Sequence, residues 1–280
     1  MGILFPYGHP YAFLIRYFVM IMLLFAFLEM RFDRSIIRVN HFIILGLNLT
    51  IPLIVFFIIR PINISVASTA FITAIAPTAV ATTVIVSLLK GKVDFTAFSL
   101  LLTNFSIAIV IPFLLPALIS ANGEITVGLV ILPVFSLFAI PFAAAIFIRK
   151  LLPKFSSQLL KFKSFAFYLL VVNIYLGTSK ASNFLFNEFD SSYTIILMIA
   201  LVSLLLCTLN FSLGKMLGGK EFRLESGQSL GQKNNGFTIW LALTFVSPLA
   251  VIGPIFYVLF QNIYVSWQLH SHSKISMKNN

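Results

Sequence analysis

The sequence predicts an all-α, polytopic membrane protein with nine transmembrane helices, and three observations carry that prediction. Hydrophobic residues make up 59% of the chain and charged residues 10%, with a mean hydropathy of +1.02. This leaves too little polar surface to wrap a soluble core of 280 residues. The apolar residues gather in nine stretches, 12–30, 42–59, 66–89, 95–120, 127–148, 164–186, 193–213, 227–246 and 250–269. Each is about 20 residues or somewhat longer, enough as helix to cross a ~30 Å hydrocarbon core. The cations alternate from gap to gap, which gives the stretches an orientation.

No Lys or Arg precedes the first stretch, and three follow it (Arg31, Arg34, Arg38). The next gaps hold one (Arg60), two (Lys90, Lys92), none, then five (Arg149, Lys150, Lys154, Lys161, Lys163). The last hold none, three (Lys215, Lys220, Arg223), none, and two in the tail (Lys274, Lys278). One face collects 15 cations and the other one, so the positive-inside rule sets the N-terminus outside and the C-terminus in the cytoplasm. The acids Glu124, Glu188 and Asp190 fall on the outer side. The protein is thereby expected in a cell membrane, plasma or bacterial inner, with the lipid bilayer as partner. The net charge of +11 is strung along one membrane face and forms no patch for nucleic acid. Attraction to anionic lipid accounts for it.

Taken in order, the first span has no charged n-region and no small-residue cleavage site, so it reads as a retained helix. Its Arg16 lies near the outer end, as does Lys180 of the sixth span. Both stems are long enough to reach the interface, and Thr178, Ser179, Ser182 and Asn183 around Lys180 are also able to line a vestibule. The second span carries Asn48 and the fourth Thr103 and Asn104, amides and a hydroxyl suited to interhelical hydrogen bonds. The seventh holds the single cysteine, Cys207, which excludes an internal disulfide and a cysteine metal site. The ninth carries Gln261 and Asn262, and the tail from Ser271 to Asn280 reads as polar, basic and disordered.

Two spans break the pattern. The third contains Ala-Pro-Thr-Ala-Val-Ala-Thr-Thr from Ala76 to Thr83. Pro77 removes a backbone donor and clashes with the preceding turn, so a kink or break is expected there. The eighth contains Ser-Leu-Gly-Gln-Lys-Asn-Asn-Gly-Phe from Ser229 to Phe237, hardly a membrane sequence. Gly231, Asn234, Asn235 and Gly236 tolerate left-handed or unwound backbone, which survives at membrane depth only inside protein or beside a wet cavity. The two interrupted spans enter from opposite sides. Such a pair is the sequence pointer to an inverted-repeat secondary transporter with its site at the midplane.

Lys233 sits ten residues beyond Arg223, roughly 15 Å from the cytoplasmic surface. A lysine near the bilayer centre costs about 2.5–3.5 kcal/mol and usually faces a cavity, a counter-charge or a pathway.

These residues resemble the bile acid:sodium symporter family. Pro77 to Lys92 is similar to the family's Pro-Gly-Gly-x-Ala-Ser-Asn segment followed by Lys-Gly-Asp, matched here by Pro77, Ala81, Thr82-Thr83 and Lys90-Gly91. Gly231 to Gly236 is similar to the family's Glu-x-Gly-x-Gln-Asn-x-Gly, and Pro254 through Gln261-Asn262 is a looser third match. The resemblance implies two inverted five-helix repeats, the first missing one helix here, with two discontinuous helices crossed at the centre. It further implies a panel of the first, fifth and sixth spans (12–30, 127–148, 164–186), and a core of 42–120 and 193–269 that moves against it. The implied substrate is an organic anion, bile acid-like or a smaller carboxylate, taken between panel and core.

The departures from the family concern sodium. With Gly231, Asn234 and Gly236 fixing the register, the family's sodium-binding Glu falls on Ser229 and its Gln on Lys233. The Ser-Asn pair becomes Thr82-Thr83. One hydroxyl ligand matches Thr96 while the other falls on Leu100, and a Gln of the second span falls on Leu47, beside Asn48. A hard cation wants several oxygens and preferably a carboxylate, and an added ammonium repels it in a low-dielectric site. The Lys233 ammonium is therefore expected to stand where relatives hold sodium. It would brace the crossed helices or balance the anion, and a buried amine also permits proton coupling. A shifted register would instead use Glu225 as the carboxylate.

The function expected is secondary transport of an organic anion by alternating access. The central polar set is Thr82, Thr83, Thr96, Ser229, Gln232, Lys233, Asn234 and Asn235, with Asn48, Gln261 and Asn262 as weaker members and Pro77, Gly231 and Gly236 as helix breakers. No organic cofactor is implied, the coupling ion is left open between sodium (disfavoured by the departures above), proton and none, and no oligomeric state is assigned. A channel or a non-transporting receptor of the same fold is the alternative, separated from a carrier by current or by binding without turnover. An enzyme is not expected: His9, His41, His270 and His272 all stand at span ends, and no carboxylate lies mid-span.

Overall fold

A computed structural model describes residues 2, 6–29, 36–119, 125–187 and 193–278, the last four by backbone alone. Arg31, Arg34, Glu124, Glu188 and Asp190, and the expected span ends Met30 and Ser120, lie outside the described residues.

Helices account for nearly all of what is described, and no strand occurs among those residues. A 3-10 turn, Pro6–Tyr11, leads into α1 (Leu14–Glu29) and α2 (Val39–Ile59). There follow α3 (Ile64–Ala74), α4 (Ala81–Leu88), α5 (Val93–Ile119), α6 (Val127–Leu151), α7 (Pro153–Leu160) and α8 (Phe165–Asn187). The chain ends with α9 (Thr194–Leu217), α10 (Arg223–Gly231), α11 (Asn235–Phe245), a second 3-10 turn (Pro248–Val251) and α12 (Ile252–Lys278). Among the described residues, five helices are able by length and composition to cross a membrane: α2, α5, α6, α9 and α12 with its leading turn. A sixth is added if α7 and α8, bent by 60°, count as one. The protein is an all-α protein with several membrane-length apolar helices.

Continuity and interruption follow different causes. Pro52 lies within α2, Pro112 and Pro116 within α5, and Pro133 and Pro141 within α6, all uninterrupted helices. Proline alone therefore does not make a break here. α3 instead stops at Ala74, before Ala76, whose helical conformation Pro77 disfavours. The backbone groups freed there find partners in the second interruption, between α10 and α11.

Three elements differ from the sequence reading. The basic gap before the sixth span contains α7, which begins on Pro153 at its first position. Lys163, in the turn that follows it, pairs with Glu29 at the end of α1, 2.5 Å apart. In place of a disordered stretch from Ser271, α12 runs on to Lys278, because nothing after Pro254 is a glycine or proline. Nor is the unwinding after α10 left-handed, since the only positive φ values among the described residues belong to Lys90 and Gly219.

Small residues set the close contacts. A Cβ on Gly214 of α9 would stand 2.5 Å from the Ser226 carbonyl oxygen and 2.8 Å from the Gly227 Cα, so α9 and α10 pack backbone to backbone. α1 packs against α6 and α8, and both α1 and α8 reach α11. Ile15, Val19 and Leu23 of α1, Val134 and Phe138 of α6, and Phe237 and Ile239 of α11 share one apolar core.

Candidate functional site

The two helix interruptions are bonded to each other. The Ala79 N–H donates to the Gln232 carbonyl at 2.9 Å, and the Asn234 N–H to the Pro77 carbonyl at 2.8 Å. Thr78 and Lys233 thus form a single antiparallel bridge. Buried N–H and C=O groups away from water need partners, and each break supplies those that the other lost.

Side chains complete the arrangement. Thr78 is held on three sides. Its N–H donates to Thr103 Oγ1 (3.1 Å), its carbonyl accepts from Asn104 Nδ2 (3.1 Å), and its hydroxyl donates to the Ser229 carbonyl (2.7 Å). At the end of α10 the Gly231 carbonyl accepts from the Tyr257 hydroxyl (2.8 Å), which itself accepts from Asn210 Nδ2 (3.1 Å). The Lys233 N–H donates to Gln261 Oε1 (2.9 Å), and its carbonyl accepts from Asn235 Nδ2 (2.9 Å). Asn234 caps α11 by accepting from the Phe237 N–H at 3.3 Å. Gly231 is required by packing: a Cβ there would lie 2.3 Å from the Phe211 ring.

Lys233 is 2% exposed, and every residue from 231 to 240 is buried. Its Nζ donates to Asn48 Oδ1 on α2. Its nearest acid in sequence, Glu225, is engaged elsewhere, accepting from the Lys92 N–H at 2.7 Å just before α5. Two ion pairs, Lys92 with Glu221 and Lys163 with Glu29, both sit at exposed positions. No three His, Cys, Asp or Glu side chains gather as a metal site among those residues.

Of the sequence candidates, Asn48, Ser229, Gln232, Lys233, Asn234, Asn235 and Gln261 meet at this crossing through the bonds above. Gln232 Nε2 also donates to Gln228 Oε1 at 2.5 Å, and Gln228 Nε2 to Gln268 Oε1 at 2.6 Å. Thr82 and Thr83 occupy the first turn of α4, directly after the break. Thr96 is buried but donates to the Val93 carbonyl of its own helix (2.8 Å) and makes no bond to the crossing. Asn262 lies on the exposed face of α12, opposite in role to its buried neighbour Gln261. Gly236 faces Val19 of α1, whose Cγ2 would be 3.3 Å from an added Cβ.

Sequence reading missed Thr78, Tyr257, Gln228 and Gln268, and gave Thr103 and Asn104 too little weight. The available signal was a polar residue directly after Pro77, and a tyrosine inside an apolar span. Thr82 Oγ1, Asn104 Oδ1, Ser229 Oγ and Asn235 Oδ1 are buried with no hydrogen-bond partner. Such atoms call for a reason, and their clustering around the crossing makes it the strongest candidate for a polar ligand. The chain matches no protein-family model and no curated protein.

Proposed function

We propose that this chain is a secondary transporter of an organic anion, of the bile acid:sodium symporter type, working by alternating access. Its nine spans run N-out to C-in, with α3–α4 and α10–α11 as the crossed discontinuous pair of an inverted repeat. α1, α6 and α8 form the panel. The helices within 42–120 and 193–269 form the core that moves against it.

One observation carries the reading: two interrupted helices, about 150 residues apart in sequence, complete each other's backbone hydrogen bonds at Thr78 and Lys233. In a membrane, non-helical backbone persists only where protein or a wet cavity surrounds it. A protein with no use for a polar centre would avoid building one around a buried ammonium.

In this reading sodium is not the coupling ion. The oxygens of Asn48 and Gln261 are taken by Lys233, and Glu225 is tied to the start of α5. A sodium ion would meet an ammonium where it needs a carboxylate. In this reading the Lys233 ammonium braces the crossing through Asn48 or balances the anion's charge, without a bound metal.

Uptake of labelled organic anions into liposomes, with sodium and proton gradients imposed separately, tests the proposal. Saturable uptake and counterflow indifferent to sodium are expected. Channel-like current, or binding with no turnover under any gradient, overturns it.

A further inference from the structure

The basic gap between α6 and α8 builds a short surface helix with unlike faces. Lys154-Phe155 is repeated seven residues later as Lys161-Phe162, at the two ends of α7. Seven residues are close to two helical turns, so the lysines share one face and the phenylalanines the next. The register holds through the second pair, since the Phe162 N–H donates to the Leu159 carbonyl at 2.9 Å and the Lys163 N–H to the Leu160 carbonyl at 3.2 Å. A third face is turned inward. Ser156 is buried, and Leu160 packs against the main apolar core.

The two outer faces are open. Phe155 is 47% exposed and Phe162 67%, and Lys154 and Lys161 are exposed without an ion pair among the described residues. The sequence holds no acid between Glu124 and Glu188, so this segment supplies no counter-charge of its own. The rest of the protein fixes its place. α7 packs on α1 and α6, Lys163 pairs with Glu29 at the end of α1, and α7 departs from the direction of α8 by 60°. A helix with phenylalanines on one side and lysines on another, turned away from the span it leads into, suits the boundary between acyl chains and headgroups.

We propose that this elbow is a binding site for anionic phospholipid of the cytoplasmic leaflet. Lys154 and Lys161 take the headgroup phosphates as point charges, and Phe155 and Phe162 lie among the upper acyl carbons. Positive charge spread along a membrane face draws anionic lipid to no particular place. The two Lys-Phe pairs single out one. Since α7 touches α1 and α6, lipid held here is attached to two helices of the panel. That consequence rests on the transport reading, but the lipid site does not, and its test involves no transport.

The purified full chain, in nonionic detergent, is titrated with phosphatidylglycerol, with phosphatidylcholine of the same acyl chains, and with glycerol 3-phosphate, and bound lipid is counted by native mass spectrometry. Saturable binding of phosphatidylglycerol is expected, about tenfold or more tighter than that of phosphatidylcholine. Lys154→Gln and Lys161→Gln should each weaken it about fivefold, the worth of one basic residue at an anionic surface. Lys154→Arg should retain it. Phe155→Ser should weaken both lipids alike. Lys274→Gln, which removes an exposed cation of α12 on the same membrane face, should change nothing. Equal affinity for the two lipids, competition by glycerol 3-phosphate, an equal loss in Lys274→Gln, or full affinity in the Lys154→Gln/Lys161→Gln double variant would each overturn the proposal. So would a dimer that forms through Phe155 and Phe162 and excludes lipid.

Discussion

The Lys233 ammonium donates to the carboxamide oxygen of Asn48, 185 residues earlier in the chain, at a place where both side chains are buried. The bond ties α2 to the non-helical segment between α10 and α11. It gives the charge one neutral acceptor and leaves Asn48 Nδ2 without a partner.

Removing that acceptor should be costly. Asn48→Leu strands a buried ammonium and is expected to destabilise the protein by about 1–3 kcal/mol, the cost of leaving a buried donor unsatisfied. Adding Lys233→Met should recover much of the loss, because the charge then goes as well. A double-mutant cycle on thermal unfolding in detergent checks this, and strict additivity would count against the pairing.

Lys233→Gln retains the backbone bridge to Thr78 and removes the charge together with the ammonium's bond to Asn48. Anion uptake should fall about tenfold or more, the size of one charge-assisted contact. Normal uptake under every gradient would show that the ammonium has no part in transport.

Sodium dependence should be recoverable by restoring the residues that the resemblance leaves out. Ser229→Glu combined with Lys233→Gln places a carboxylate and an amide at the crossing. Sodium, but not potassium, should then stabilise the protein, by about 2.7 kcal/mol when present at a hundred times its Kd. A melting curve in matched sodium and potassium salts reads this directly, and equal curves would place the missing determinants elsewhere.

Gly231→Ala pushes a methyl group into the Phe211 ring, 2.3 Å from the nearest carbon. A cost of about 1–3 kcal/mol is expected from overpacking. Phe211→Leu should relieve part of it in the double variant. If the single substitution is neutral, the close approach of α9 to α10 is looser than described.

Glu225 accepts from the backbone just before α5, where a negative charge also meets the positive end of the helix dipole. Glu225→Gln should cost about 0.5–2 kcal/mol of stability and leave the sodium response of uptake unaltered. A change in that response would return this carboxylate to the ion-binding role.

Local chemistry in the sequence carried the large features. Apolar runs of membrane length need no partner to be recognised, since the bilayer dictates their extent. Pro77 and the Gln-Lys-Asn-Asn run announce themselves because such residues are expensive in a continuous apolar helix. Which polar groups meet was another matter. Gln261 points to the crossing and Asn262 away from it, although they are adjacent, because one residue turns a helix by about 100°. Thr96 turned inward to its own helix, while Thr78 became the most heavily bonded residue of the first break.

By itself, then, the chain's order of residues determined that it is helical, apolar enough for a membrane, and interrupted in two places, all consequences of local hydropathy and backbone chemistry. Only the tertiary structure decided that the two interruptions share their hydrogen bonds, that Lys233 takes Asn48, and that Arg16 and Lys180 close on one cavity. Those pairings depend on how each helix is rotated and how closely it approaches its neighbour. Contacts as distant in sequence as Gly214 with Gly227, Gly231 with Phe211 and Arg16 with Ser136 set these, and no periodicity in the chain encodes them.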